Sequence, residues 1–467
     1  MKLKLKFYVD YFVIVCKSEQ KNFIFVSLNV QKLLMGKKIL LIALLSILIN
    51  YGPGANEWSG EITDKLVAGN IRLTNSNSTG TGFDACESAV NSFMKRWTIE
   101  GASIAVAREG KLVFARGFGF ADTAAGISTQ PYSKFRIASI SKLVTAIAIM
   151  KLQEDQLLSV DKKVFGPDGI LNDSCYCHPK DKRSFNITVA HLLSHEGGWS
   201  NRYGDQMFMP LIIADQLDVP LPVGTESIVK FALGKKLHFT PGTGRSYSNL
   251  GYSILGLVIE RVSGMPYEDY CRKAILEPLG IYDMMLAKNL ETQKAPFEVT
   301  YYEPKGMPLR PSIYGTGELV PVRYGGNDIE ALGGAGSWLA TAPDLMRLML
   351  AVDGFSTPDD ILNNESIRFM TDVNNNYAPV GWKSTIIDGT WTRTGSFAGT
   401  AGMMKRRPDG ISWVVLLNSS AWNGPDLQSY IDRMMTGFFT RVEEWPESDL
   451  FDYSMPLPVK VGISGIN

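Results

Sequence analysis

The clearest hydrophobic patterning lies in two blocks near opposite ends of the chain. Early on, Ser103-Ile104-Ala105-Val106-Ala107-Arg108 is followed by Glu109-Gly110 and then Lys111-Leu112-Val113-Phe114-Ala115-Arg116-Gly117. Apolar β-formers on either side of a glycine turn predict a strand–turn–strand unit. Late in the chain the arrangement recurs: Thr400 to Arg407, a turn at Pro408-Asp409-Gly410, and Ile411 to Leu417, with Thr390-Trp391-Thr392-Arg393 reading as a further strand. Between these blocks the period is helical. Leu143, Ile147 and Met150 form one stripe, with Val144, Ala146 and Ala148 around it, which predicts a helix with Ser139 in its first turn. Val189 to Leu193 and Leu250 to Val262 are shorter helices, the second stopped by Ser263-Gly264. Thr341-Ala342-Pro343-Asp344 opens another with a capping threonine and an early proline, Cys86 to Trp97 precedes the first hairpin, and Leu427 to Phe439 closes the series.

Hairpins at both ends and helices between them point to an α+β fold. One antiparallel β-sheet is built from both chain ends with flanking helices, and an inserted, mainly helical domain brings Ser139 to the junction, where clefts form. Residues 85–440 form this unit; residues 441–467 read as a tail, and 55–84, polar and ending in Asn75-Ser76-Asn77-Ser78-Thr79-Gly80-Thr81-Gly82, as a flexible lead-in. Residues 1–54 read as a targeting leader. Lys37 and Lys38 precede an apolar run of 11 residues, Ile39 to Ile49, and then Gly52, Pro53 and Gly54. That is a signal-peptide pattern over about 35–54, too short for an ordinary membrane span, with 1–34 an over-extended start. It implies a periplasmic or extracellular protein. An N-terminal membrane anchor is the other reading, because Phe7 to Cys16 is also apolar.

Charge narrows the partners. The 467 residues balance 47 cations against 47 anions, but residues 1–54 hold eight lysines against Asp10 and Glu19, so the remainder carries a net charge of −6. That argues against nucleic acid or an anionic membrane surface as the main partner and in favour of a small-molecule or peptide substrate. Cys86, Cys175, Cys177 and Cys271 are too few for a disulfide framework in so long a chain, although pairing in an oxidising compartment stays open. Cys175-Tyr176-Cys177-His178 is spaced too tightly for a usual zinc site, and no metal or cofactor is called for.

The chemistry begins at Phe135-Arg136-Ile137-Ala138-Ser139-Ile140-Ser141-Lys142. A hydroxyl and an amine three positions apart share one face of a helix. A serine hydroxyl needs a neighbouring base, and Lys142 is one if burial or a second cation lowers its pKa from about 10.4. The spacing alone is weak, since it recurs at Ser18/Lys21, Ser92/Lys95, Ser159/Lys162 and Ser227/Lys230; only Ser139 heads a long apolar helix. A second constellation is Pro241-Gly242-Thr243-Gly244-Arg245-Ser246-Tyr247-Ser248-Asn249, the one Tyr-x-Asn in the chain. A tyrosine beside two cations can ionise below its usual range and act as a base. The third is Arg393-Thr394-Gly395-Ser396 on a late strand. There a cation can hold a substrate carboxylate, and the Ser396 N–H can pair with that of Ser139 as an oxyanion hole.

In this order, the three pieces resemble the serine β-lactamase and penicillin-binding-protein superfamily, closest to its class C branch and the D-alanyl carboxypeptidase- and esterase-type relatives. Leu192-Leu193-Ser194-His195, Tyr247-Ser248-Asn249-Leu250-Gly251-Tyr252 and Asp409-Gly410-Ile411 extend the likeness. The resemblance implies that Ser139 is acylated, that Lys142 and Tyr247 move the protons, with either as the acylation base, and that Asn249 orients Lys142 or the acyl side chain. Arg393 stands where the family has lysine, which keeps the charge but adds length and a planar fork and counts against bulky bicyclic lactams. The implied activity is that of an exported serine hydrolase acting on esters or D-amino-acid-type peptides, with β-lactams third. The alternative is a non-catalytic penicillin-recognising sensor. His195 has no Gly-x-Ser-x-Gly elbow before it and reads as a histidine of a helix-end loop, Glu196 is a candidate for the cleft mouth, and Trp199, Tyr314, Tyr324 and Trp338 are candidates for an acyl pocket or for core.

Overall fold

The computed structural model describes residues 72–78, 83–421 and 424–454, together with three strands, Lys2–Tyr8, Tyr11–Lys17 and Phe23–Asn29, that pair as an antiparallel meander of their own. The signal-peptide reading of residues 35–54 falls outside the described residues. Among those described, no helix is long and apolar enough to cross a membrane.

In chain order, helix α1 (Asp84–Trp97) leads to β1 (Gly101–Arg108), β2 (Lys111–Asp122) and a short β3 (Ile127–Ser128). The two-residue strand β4 (Phe135–Arg136) precedes α2 (Ser141–Glu154). A series of short helices and loops then reaches α3 (Asn249–Ser263), β5 (Met285–Leu286), β6 (Trp338–Ala340) and α4 (Ala342–Leu350). The chain finishes with β7 (Ser384–Thr385), β8 (Trp391–Phe397), β9 (Thr400–Arg406), β10 (Ile411–Leu417) and α5 (Leu427–Phe439).

Strands from both ends make one sheet in the order β7-β8-β9-β10-β1-β2-β3, as the hairpin pattern predicts. The seam between the two ends is the antiparallel pair β10–β1, which runs from Ile411↔Arg108 to Leu417↔Ala102. Its side chains alternate between two cores. Ile104, Val106, Trp413 and Val415 pack with α1 and α5, while Ala105, Ala107, Val414 and Leu416 belong to the core that contains α2, α3 and α4. The β1–β2 turn needs φ of 51° at Glu109 and 81° at Gly110, the geometry that fits the twist of a two-residue hairpin.

Helix α2 differs from the single apolar stripe that its sequence predicts. Ser141 to Met150 are all buried, so this part of the helix is enclosed on every side, its polar members Ser141, Lys142 and Thr145 included. Glycine makes this possible on one flank: a Cβ at Gly334 would lie 2.8 Å from the Tyr252 carbonyl oxygen on α3 and 3.0 Å from Thr145 Oγ1 on α2. Ser139 itself lies one step ahead of α2, in a 3-10 turn (Ala138–Ile140), rather than in the first α-helical turn.

Two further expectations change. Residues 72–78 of the supposed lead-in pack on the sheet: Ser78 is buried and donates to the Ala115 carbonyl, and Asn75 accepts from Gly117 N–H and donates to the Thr129 carbonyl. Part of the tail is also held, with Asp449 accepting from Leu112 N–H and Leu450 and Phe451 buried. Cys86, Cys175, Cys177 and Cys271 are all free thiols, with Cys86 and Cys271 buried in apolar surroundings, and no group of metal ligands exists among the described residues.

Candidate active site

A small sheet, in the order β4-β6-β5, sets the entry to α2. Beyond its ladder, Ile137 N–H donates to the Trp338 carbonyl (3.0 Å) and Trp338 N–H to Ser141 Oγ (3.2 Å). The next residue, Ala138, has φ +49°, a left-handed conformation that L-residues rarely adopt. Such strain persists only where the surroundings dictate it, and here it turns Ser139 out of the main-chain path ahead of the helix. Strand β8 closes on this turn from the other side. A Cβ at Gly395 would lie 2.2 Å from the Ile137 carbonyl oxygen and 2.9 Å from Ser139 N, so only glycine permits the approach.

Three of the predicted residues meet around one hydroxyl. Ser139 Oγ lies 2.6 Å from Tyr247 Oη and 3.3 Å from Lys142 Nζ. Lys142 is fully buried, and its ammonium also donates to Asn249 Oδ1 and to the Ala335 carbonyl, both at 2.7 Å. These two carbonyl acceptors hold two N–H bonds, so the third position of Nζ faces Ser139 and can carry either a proton or a lone pair. Burial, opposed by the Tyr247 phenolate and reinforced by the Arg393 cation, brings the Lys142 pKa down to about 8. Burial works against ionisation of Tyr247, but the charges of Lys142 and Arg393 and hydrogen bonds from Lys142 and Ser139 overcome it and lower the phenol to about 8.

Local structure explains how Tyr247 arrives there. The loop before α3 is fastened by Arg245, which donates to the carbonyls of Ala378 (2.8 Å) and Asn376 (2.5 Å) and pairs with Glu196 at 3.1 Å. Ser248 caps α3 by accepting from Gly251 N–H, which places Asn249 as the first residue of that helix. Glu196, a candidate for the cleft mouth, thus ties two loops together. His195 lies between Tyr247 and Tyr252 with ring centroids 4.7 and 5.1 Å away, and its Nδ1 accepts from Ser248 N–H at 3.2 Å. Burial, with the cations of Lys142, Arg393 and Arg245, keeps its pKa well below the ordinary histidine range, so it supports the phenol as a neutral ring.

The third box behaves differently from its sequence reading. Arg393 is 2% exposed, and its guanidinium donates from Nε (2.7 Å) and from Nη2 to the main-chain carbonyl of Ser139. The cation therefore sits behind the nucleophile instead of reaching out for a substrate carboxylate. Thr394 is buried, Ser396 is exposed, and Gly395 provides the close approach described above. Pairing of β7 with β8 covers only Trp391 and Thr392, which leaves the outer edge of residues 393–397 unpaired among the described residues.

Tyr324 and Trp338 are buried core, Trp199 is buried but lines a surface cavity with Tyr203, Gln206 and Met209, and Tyr314 is half-buried at 3.3 Å from Asn289 Nδ2. The sequence reading missed Asp205, whose carboxylate accepts from Asn249 Nδ2 at 2.7 Å, and the Ala335 carbonyl. It also missed Phe208, whose ring faces that of Phe397 on β8 at 6.4 Å and forms one end of a groove of about 180 Å³ with Met209, Leu211, Ile212 and Ile313.

Known proteins resemble this chain in sequence and fold. Protein flp of Staphylococcus aureus (strain MRSA252) is 27% identical over 242 residues, which cover 50% of this chain and 43% of that protein. Esterase EstB of Burkholderia gladioli is 28% identical over 271 residues, covering 54% of this chain and 65% of that one. The chain thus spans less than two thirds of either relative. The octameric penicillin-binding protein homologue from Pyrococcus abyssi superposes with a TM-score of 0.56 at 27% identity, covering 75% of this chain and 76% of that chain. The family profile described as Beta-lactamase matches residues 87–432, and the chain belongs to this family, within the serine β-lactamase and penicillin-binding-protein superfamily.

Proposed function

We propose that this protein is a serine hydrolase that works through an acyl-enzyme on Ser139, with esters as its first substrates and amide-linked D-amino-acid peptides second. The observation that carries this is the contact of one hydroxyl with both a phenol at 2.6 Å and an amine at 3.3 Å. With both neighbours drawn to about 8, the Lys142–Tyr247 pair sheds a proton close to neutral pH and becomes a base.

In the first half-reaction Ser139 Oγ attacks the substrate carbonyl as its proton passes to the pair. The tetrahedral oxyanion is received by the main-chain N–H groups of Ser139 and Ser396. The pair then delivers the proton to the leaving oxygen or nitrogen, the carbonyl reforms and Ser139 is left esterified. In the second half-reaction a water gives its proton to the Tyr247 phenolate, attacks the ester and releases the acid, and the proton returns to Ser139 Oγ.

Arg393 orders the substrates. Donors on two of its three nitrogens are committed to the Ser139 carbonyl, which favours acyl groups without a carboxylate beside the scissile bond over β-lactams, whose recognition needs a cation facing the cleft. The name of the esterase relative accords with this ordering. We also propose export, on the leader pattern of residues 35–54. A panel of p-nitrophenyl esters, a D-Ala-D-Ala peptide and a chromogenic cephalosporin tests the reading: sustained ester turnover that disappears in Ser139→Ala is expected. A single acylation without turnover would identify a sensor instead.

A further inference from the structure

Beyond the serine, lysine and phenol, the hydrogen bonds continue inward. Asn249 presents Oδ1 to Lys142 Nζ and Nδ2 to Asp205 Oδ2, each at 2.7 Å. An amide has one donor end and one acceptor end, so whatever holds the Nδ2 end decides which end Lys142 meets. Reversed, the amide would present N–H to the ammonium and leave one of its protons without an acceptor. The other oxygen of Asp205 is occupied too, because Oδ1 accepts from Met207 N–H at 3.0 Å and caps the 3-10 turn Gln206–Phe208. Both oxygens must therefore accept, which a carboxylate does and an amide cannot.

We infer that Asp205 is a positioning residue of the hydrolytic site: it fixes the amide of Asn249, and through it the direction in which Lys142 exchanges its proton with Ser139. This rests on the hydrolase reading above. Asp205 lies 44 residues from Asn249 in sequence, on a loop whose turn also carries Phe208, packed against Phe397 of β8. The charged and titratable groups facing Lys142 are Tyr247 and Arg393, with Asp205 behind Asn249 and the neutral His195 alongside. After the Tyr247 phenolate, Asp205 is the second anion among them whose charge favours the ammonium.

Asp205→Asn can satisfy one of the two acceptor sites, so the amide of Asn249 reverses in part of the population. The expected result is a fall in kcat of about tenfold, the scale of one misdirected hydrogen bond, with KM unchanged. Loss of the anion also lets Lys142 shed its proton more easily, so the acid limb of kcat/KM moves to lower pH. A merely structural role would lower the active fraction without moving the limb. The decisive arm is a double-mutant cycle with Asn249→Ala: if Asp205 acts through Asn249, Asp205→Ala has little further effect in that background. Additive losses in the cycle, or an Asp205→Asn enzyme with unchanged kcat and acid limb, would overturn the inference. If Asp205→Ala does not fold, the cycle is run with Asp205→Asn. Wild-type turnover that Ser139→Ala abolishes, measured alongside, keeps failure of this inference distinct from failure of the hydrolase reading.

Discussion

The guanidinium of Arg393 grips the main-chain carbonyl of Ser139, the residue whose side chain is the proposed nucleophile. A single cation thereby fixes the turn that presents Oγ and lowers the proton affinity of both groups that serve it, Lys142 and Tyr247. The fork geometry matters, since two parallel donors on one acceptor hold direction as well as charge.

Removing that cation tests its electrostatic part. In Arg393→Met, Lys142 and Tyr247 lose a positive neighbour and hold their proton more tightly. Because the base is the form that has lost it, the acid limb of kcat/KM moves to higher pH, by on the order of one unit. This is opposite in sign to the shift expected for Asp205→Asn, and pH–rate profiles of the two variants on one ester check both.

Tyr247 is 38% exposed although its hydroxyl sits against Ser139, so removing the hydroxyl alone should be chemical rather than structural. Tyr247→Phe is expected to lower kcat by about 10²–10⁴-fold, the usual contribution of a positioned acid–base group. Its melting temperature should stay within about 2 °C of the parent, since changes at exposed positions cost about 0.5 kcal/mol or less. Steady-state kinetics and a thermal melt of the same preparation separate the two effects.

Gly395→Ala places a methyl group against the Ile137 carbonyl and the Ser139 N–H, both of them backbone that cannot rotate away. Strand β8 must move back. The cost is about 1–3 kcal/mol of overpacking, and a loss of about 10²-fold in kcat as the oxyanion donors separate. Circular dichroism melts and ester kinetics give the two numbers.

Away from the cleft, Asp353 is fully buried, with Oδ1 accepting from Phe355 N–H at 2.8 Å and Oδ2 without a hydrogen-bond partner. Burial raises its carboxyl to about 7. A carboxyl raised in the folded state stabilises fully below its unfolded pKa, near 4, and that contribution is lost as pH rises through about 7. Asp353→Asn should therefore raise the melting temperature more at pH 8 than at pH 5. Equal shifts at the two pH values would show that the carboxyl does not titrate in this window.

Much of this was legible in the sequence for local reasons. The β1–β2 and β9–β10 hairpins carry their own turns, and the boundaries of α3 are set by Ser248 and by Gly264 with φ +67°. Ser139, Lys142, Tyr247 and Asn249 were readable because each lies beside a turn or a helix start that a short motif records. Asp205 was not, because it stands in an aperiodic loop and its partner is remote in sequence. The direction taken by Arg393 was hidden for a similar reason: a strand tells which face a side chain leaves from, not that the Ser139 carbonyl waits there. Residues 72–78 look like linker by composition, yet their side chains complete the polar edge of β2.

The central claim is that Ser139 is acylated with the help of its two neighbours. Incubating the protein with a fluorophosphonate probe and locating the adduct by peptide mass spectrometry tests it most directly. One adduct on the peptide containing Ser139, absent in Ser139→Ala and formed far more slowly in Tyr247→Phe, is the predicted result. An adduct on another residue, or equal labelling of Ser139→Ala, would contradict it.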